Sequence, residues 1–346
     1  MRSMRSRSDA PGALVRGFTL IELLVVVAII ALLVGVLLPA LSGARKSAWQ
    51  ARGSSLQKTL ITGIVQYGGN SNFAIPGVNS SGLKLPTIEQ SDATQFDKRQ
   101  GLAVQMFDWM TAALDENDLS PNRAERFYQL LNDYADPSMN EKLATSDLVN
   151  ASTEINDLSD ERGGFPATSF LMPATWQYAG THLPDGSTGT AVTQWGTPTE
   201  LQDPAETPTS WRSRQDKIGL VSDKIAICDG FNDIDNRKMN VGIATGSGVD
   251  PINAPMFNAN PVPFVSTPAV HADSPQYRHD STNLHLSYRF TGKMNAGFWD
   301  SHVESITIQD SYDPAMWYPS GSEWTGSNAV PEAASVYNYN PGDFIP

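Results

Sequence analysis

Gly17-Phe18-Thr19-Leu20-Ile21-Glu22, followed by an almost unbroken apolar run to Leu41, is the stretch that decides how this chain is read. From Leu23 to Leu38 no side chain carries a charge or a hydrogen-bonding group. As a helix, Phe18 to Leu38 would span roughly 31 Å at about 1.5 Å per residue, close to the thickness of a bilayer core. Glu22 sits inside this segment, where an unpaired charge is costly and so calls for a role. Arg2, Arg5, Arg7 and Arg16 precede it. A secretory signal peptide has a shorter apolar core with its cleavage site behind it. Here the run is longer and the polar string stands in front.

The rest of the composition describes an acidic chain. Its 346 residues suffice for one large domain or two small ones, and the net charge is −13. Removing residues 1–17 takes away four arginines and Asp9, leaving 20 basic and 36 acidic residues and a net charge of −16. No basic stripe exists to neutralise phosphates, which argues against a nucleic-acid partner. Arg45, Lys46, Arg52 and Lys58 follow the apolar run and balance the arginines before it, so charge alone leaves the membrane orientation open. The single cysteine, Cys228, excludes an intrachain disulfide. It ends Lys224-Ile225-Ala226-Ile227-Cys228, where it reads as a small buried hydrophobe.

Beyond Pro39, which should kink the helix, Ala40, Leu41, Ala44, Ala48, Leu56, Leu60, Ile64 and Tyr67 keep a helical apolar spacing until Gly68-Gly69-Asn70. Residues 70–97 read as loop. One helix is expected with Leu102, Met106, Trp109, Met110 and Ala113 on a face. A second is expected with Ser120 as N-cap, Pro121 in the first turn and Phe127, Leu130, Leu131 and Tyr134 as its stripe. Such stripes are core rather than cofactor boxes. Ala151 to Trp211 reads as surface loops around short strands near Thr168–Tyr178. Ile218–Cys228 reads as a strand, and Met294–Ile308 as a hairpin turning at Asp300-Ser301. In that two-residue turn Val303 faces Phe298 and shares its side of the sheet. The tail after Asp310 is expected to be irregular. An amphipathic helix and alternating strands each need a cover, so both strand segments should join one antiparallel sheet beneath the helix.

Gly17, Phe18, Thr19, Leu20, Ile21, Glu22, Leu23 and Pro39 resemble the N-terminus of type IV prepilins and type II secretion pseudopilins. The resemblance implies cleavage by a prepilin peptidase between Gly17 and Phe18, with methylation of the Phe18 amine. It implies an assembly role for Glu22, pairing with a neighbouring subunit's terminal amine. It also implies an α+β pilin-like fold, a long N-terminal helix packed on an antiparallel sheet head with extra helices and long loops. The expected division is a leader at 1–17, a helix at 18–67 with its transmembrane part at 18–41, and an exported head at 68–346. The protein would then be single-pass in the inner membrane before assembly, with its head on the periplasmic or extracellular side. Its partners would be prepilin peptidase and further copies or other pseudopilins.

A second stretch, Arg289 to Glu304, is similar to the C-terminal signature of the prepilin-type processing-associated, or H-x9-DG, family. Arg289, Gly292, Asn295, Phe298, Asp300, His302, Val303 and Glu304 match its pattern. Phe290 replaces its histidine and Ser301 its turn glycine, a position that favours a left-handed residue.

No catalytic signature accompanies these motifs. The histidines at 182, 271, 279, 285 and 302 form no H-E-x-x-H, and no C-x-x-C, P-loop or G-x-S-x-G occurs. Asp300-Ser301-His302 holds the residue types of a hydrolase triad, yet adjacent residues on a hairpin point to opposite faces. Asp229, Asp233, Asp235 and Asn236 offer oxygen ligands of the kind that hold Ca²⁺, as some secretion pseudopilins do, but they lack EF-hand spacing and are read first as a solvated acidic turn. No metal, cofactor or enzymatic activity is expected. The expected function is assembly into a filament or secretion pseudopilus. The alternative is a monomeric anchored envelope protein displaying a binding module, and an anchored enzyme built from loops 150–215 comes third.

Overall fold

The structure is a computed structural model that describes residues 19–77, 80, 103–105, 107–114, 118–139, 142–177, 205–208, 210–230, 239–241, 258–259, 288–326, 329 and 331–346. The chain divides into two compact units, Met1–Ser47 and Ala48–Pro346. The first contains the apolar part of helix α1, which runs from Leu20 to Asn70 and continues through Pro39 without a break. The kink expected at Pro39 does not interrupt the helix: the i−4 bond that a proline removes is one of many in a long ladder. Every large apolar side chain from Leu20 to Leu41 is exposed. By length and composition this helix can cross a membrane.

Among the described residues the second unit is built on a five-stranded sheet of β1 (Phe170–Pro173), β2 (Ile225–Asp229), β3 (Asn258–Ala259), β4 (Lys293–Phe298) and β5 (Val303–Thr307), in the order β5-β4-β2-β1-β3. All neighbours are antiparallel except β1 and β3. The two expected strand segments therefore share one sheet. β2 is shorter than the apolar run, because residues 218–223 form a turn, with Gly219 at φ 97° and the Asp223 N–H bonded to the Leu220 carbonyl. A bulge between Ile225 and Ile227 interrupts the β2–β4 pairing. Ile225 and Cys228 join one core while Ala226 and Ile227 join the other.

The head half of α1 buries Gly53, Gln57, Leu60, Ile61, Ile64 and Gly68 against this unit. Its contact row is only half apolar. Glycines permit the close approach: a Cβ at Gly297 of β4 would strike the Ile61 side chain, and one at Gly63 would strike the Ala113 backbone carbonyl. On this side lies a core of Leu60, Ile61, Ile64, Trp176, Trp211 and Trp299. On the other, Met294, Ala296, Phe298 and Ile306 pack with Trp317, Tyr318, Trp324 and Ile345. The tail is thus a cover for the second face of the sheet rather than irregular chain. It includes the short helix Pro331–Tyr337, and Glu323–Trp324 pairs with Ala205–Glu206. Its aromatics are apolar enough to bury, and the strands leave a face that needs them.

The connecting helices differ from the sequence reading in three places. Among the described residues the first is a single turn, α2 (Met110–Ala113), preceded by Phe107 at φ 58°, a backbone no helix can contain. Leu102 and Met106 lie outside the described residues. The second, α3, spans Arg123–Asp133 and is capped by Asn122, whose side chain accepts the Glu125 N–H at 3.0 Å, not by Ser120. α4 (Thr153–Arg162) falls where loop was expected. Its stop and start signals are in the sequence: Ser152 caps it and Gly163 ends it at φ 69°.

Candidate functional site

At the membrane end, Gly17 and Phe18 lie outside the described residues, and Thr19 and Glu22 stand at the start of α1. Glu22 Oε2 accepts from the Thr19 N–H and Oγ1, each at 2.8 Å, while the Glu22 N–H donates to Thr19 Oγ1 at 3.2 Å. This is a reciprocal capping box, which satisfies donors that a helix start leaves open. It gives Thr19 a role the sequence reading missed, although the T-x-x-E spacing announced it. Within its own chain the carboxylate is therefore already hydrogen-bonded.

The six singled-out residues of the C-terminal signature do not form one site. Arg289 and Asn295 converge on Asp229, which lies at the end of β2, fully buried. Arg289 Nη2 is 3.2 Å from Asp229 Oδ1 and also donates to the Ser169 carbonyl at 2.9 Å. The Asn295 N–H donates to Asp229 Oδ2 at 2.7 Å. From α1, Gln57 Nε2 donates to Asp229 Oδ1 at 2.9 Å and to the Asn295 carbonyl at 3.1 Å. Asn295 Oδ1 accepts from Ser305 at 2.9 Å, and Ser305 accepts from Gln50 at 2.6 Å. Burial pushes the Asp229 carboxyl up to about 7, against the pull of Arg289; Asp136 pushes the same way and the Asn295 N–H opposes it. Asp229 is thus the hub of a polar seam between α1 and the sheet. The reading of it as part of a solvated acidic turn is incorrect: its β2 position turns it under the helix. Asp233, Asp235 and Asn236 lie outside the described residues.

Gly292 has a different task. It follows Thr291 in a two-residue turn closed by Phe290 and Lys293, which bond each other's backbone at 3.0 and 3.2 Å. Both turn residues have positive φ, 58° and 75°, which glycine accepts freely and threonine does not.

Phe298, Asp300 and His302 meet at the hairpin tip. The loop has three residues, Trp299 to Ser301, rather than two: the Ser301 N–H bonds the Phe298 carbonyl at 2.8 Å and the Phe298 N–H bonds the His302 carbonyl at 2.9 Å. Ser301 occupies the left-handed position at φ 71°. The extra residue moves Val303 opposite Gly297, so it faces the helix side rather than pairing with Phe298. Lys58 of α1 donates to the Ser301 carbonyl. The His302 ring stacks on Phe298 with centroids 4.3 Å apart, and its Nδ1 is 2.6 Å from Asp300 Oδ1. Burial raises Asp300, but the His302 N–H and ring outweigh it and hold the carboxyl below its usual range. Asp300 and His302 do bond, two residues apart on one side. Among the described residues no hydroxyl completes a triad. No cluster of three metal-binding side chains occurs among them either.

Comparison with known families matches residues 13–38 to the prokaryotic N-terminal methylation motif. Comparison with curated proteins and with solved structures gave no match. The match supports a type IV prepilin-like N-terminus, a motif that implies membrane association and prepilin peptidase processing.

Proposed function

We propose that the mature chain, cut after Gly17 and methylated on Phe18, is a subunit that assembles through α1 into a filament or secretion pseudopilus. Before assembly it is anchored once in the inner membrane, with residues 68–346 on the periplasmic or extracellular side. The observation that carries the reading is the methylation motif at 13–38, which runs into a helix whose large apolar side chains, Leu20 to Leu41, are all exposed. Burying that surface requires lipid or other subunits, and a filament core supplies the second once the subunit leaves the first. Glu22 is the group through which subunits recognise one another, exchanging its Thr19 partner for the neighbouring Phe18 amine.

Two measurements test this. Intact-mass analysis of the membrane-extracted protein should give an N-terminus at methylated Phe18, and any other terminus defeats the proposal. Engineered cysteine pairs along α1 should crosslink into ladders, with Cys228 silent because it is buried. Glu22→Ala should keep cleavage and insertion but lose the ladders. Equal ladders in both forms would favour the anchored binding module.

A further inference from the structure

We propose that copies of this chain join through charge, the basic flank of α1 in one copy seating against the acidic face of α4 in the next. This rests on the assembly reading above and names the surface that meets α1 outside the membrane. The two signs of charge are sorted along the chain. After Glu22 no acidic residue occurs until Glu89, while Arg45, Lys46, Arg52 and Lys58 all fall within α1. Of the 20 basic and 36 acidic residues that follow position 17, those four bases and Glu22 lie before residue 71. That leaves 16 bases against 35 acids beyond it, a net charge of −19. Heads of one sign repel each other, whereas a basic helix attracts them and fixes where they meet.

Arg45 and Arg52 stand seven residues apart in α1, two turns along one flank. Arg52 is exposed and, among the described residues, meets no acidic side chain. The head-facing row of Gly53, Gln57, Leu60 and Ile64 leaves this flank open. Lys58 already donates to the Ser301 carbonyl.

α4 carries Glu154, Asp157, Asp160 and Glu161, all exposed, while Ile155, Leu158 and Ser159 turn inward. Glu154 suits the positive end of the helix, but the later acids gain nothing from the dipole and those in the last turn oppose it. Arg162 answers only Glu161 and Glu125, each at 3.6 Å. Asp160 accepts from Thr145. Among the described residues Glu154 and Asp157 meet no basic side chain. Glu154, Asp157 and Glu161 share a face at positions i, i+3 and i+7, and the outer two repeat the interval of Arg45 and Arg52. Exposed ion pairs are weak singly, but an assembly repeats them at every subunit. Because the two surfaces differ, the contact is head to tail, the kind that grows into an open filament unless its rotation closes a ring.

The test co-expresses two full-length chains in the native membrane, one with Ser55→Cys beside Arg52, the other with Thr153→Cys at the start of α4. Both positions are exposed, and Cys228 is buried and silent to a short bis-maleimide linker. A crosslink between the two chains is expected. Arg45→Glu with Arg52→Glu in the first chain should cut its yield about tenfold, because attraction becomes repulsion at each pair. Glu154→Lys with Asp157→Lys in the second chain should do the same. The two reversed chains together should regain the crosslink, which a misfolded variant could not do. Equal yields in every combination overturn the proposal. So does a failure to recover when both are reversed, which would mean that the α1 bases meet another partner, such as an anionic lipid surface. Ladders along α1 without a product between positions 55 and 153 overturn it too, and leave the assembly reading standing. Absence of both products defeats the two together.

Discussion

The two halves of α1 follow different rules. From Leu20 to Leu41 the helix offers an apolar surface all round, with every large side chain exposed. From Ala48 onward the same helix docks by particular contacts: glycines at 53, 63 and 68, a glutamine in the core, and three leucine or isoleucine side chains. The first half could exchange one apolar residue for another and still suit a bilayer, because lipid solvates apolar surface without regard to shape. The second half fits one partner. A helix thus carries a solvent preference in one part and an address in the other.

The largest effect should come from the hub of that address. Asp229→Ala leaves Arg289 buried without its carboxylate and removes the acceptor of Gln57 and Asn295, and should cost about 3–5 kcal/mol. Thermal unfolding of the head in the detergent-solubilised chain reads it; a loss below about 1 kcal/mol would mean that the seam is not held by this node. Gly63→Ala comes next. Its new carbon would overlap the Ala113 backbone oxygen, which cannot rotate away, so a loss of about 2–3 kcal/mol is expected. An unchanged melting temperature would show that α2 yields and that the docking is looser than its glycines imply.

Ser301→Gly should act the other way. Relieving a left-handed serine at φ 71° should add about 1 kcal/mol, seen as a small rise in the same transition. A fall would show that the serine contributes more at the hairpin tip than its backbone costs. Leu33→Ala, in the apolar half, should leave head unfolding unchanged. A measurable shift there would break the comparison, since it would make the apolar half part of the head's own stability.

Much of this was legible in the chain. The apolar run, the capping-box spacing at Thr19 and Glu22, and the two strand segments are local patterns that periodicity exposes. Cys228 as a buried hydrophobe was equally plain. α4 was written in its flanking Ser152 and Gly163, yet its polar residues Glu154, Asn156 and Asp157 gave no strong stripe. Other features could not be seen that way. The register of β4 and β5 turns on whether the hairpin loop holds two residues or three, and one residue sends Val303 to the opposite face. The tail aromatics looked unattached because the face they cover is made of strands distant in sequence.

The sequence by itself determined that one end of this protein is a membrane-suited helix carrying a methylation motif and that the other is an acidic α+β head. Those are properties of neighbouring residues: their apolarity, their spacing and their caps. Only the tertiary structure decided what Arg289, Asn295 and Asp229 are for. Asp229 comes from a strand far in sequence from Arg289 and Asn295, and Gln57 joins them from α1. Read alone, each is an ordinary polar residue. Brought together away from water, they must satisfy one another's charge and hydrogen bonds, because burial removes the solvent that would otherwise do so.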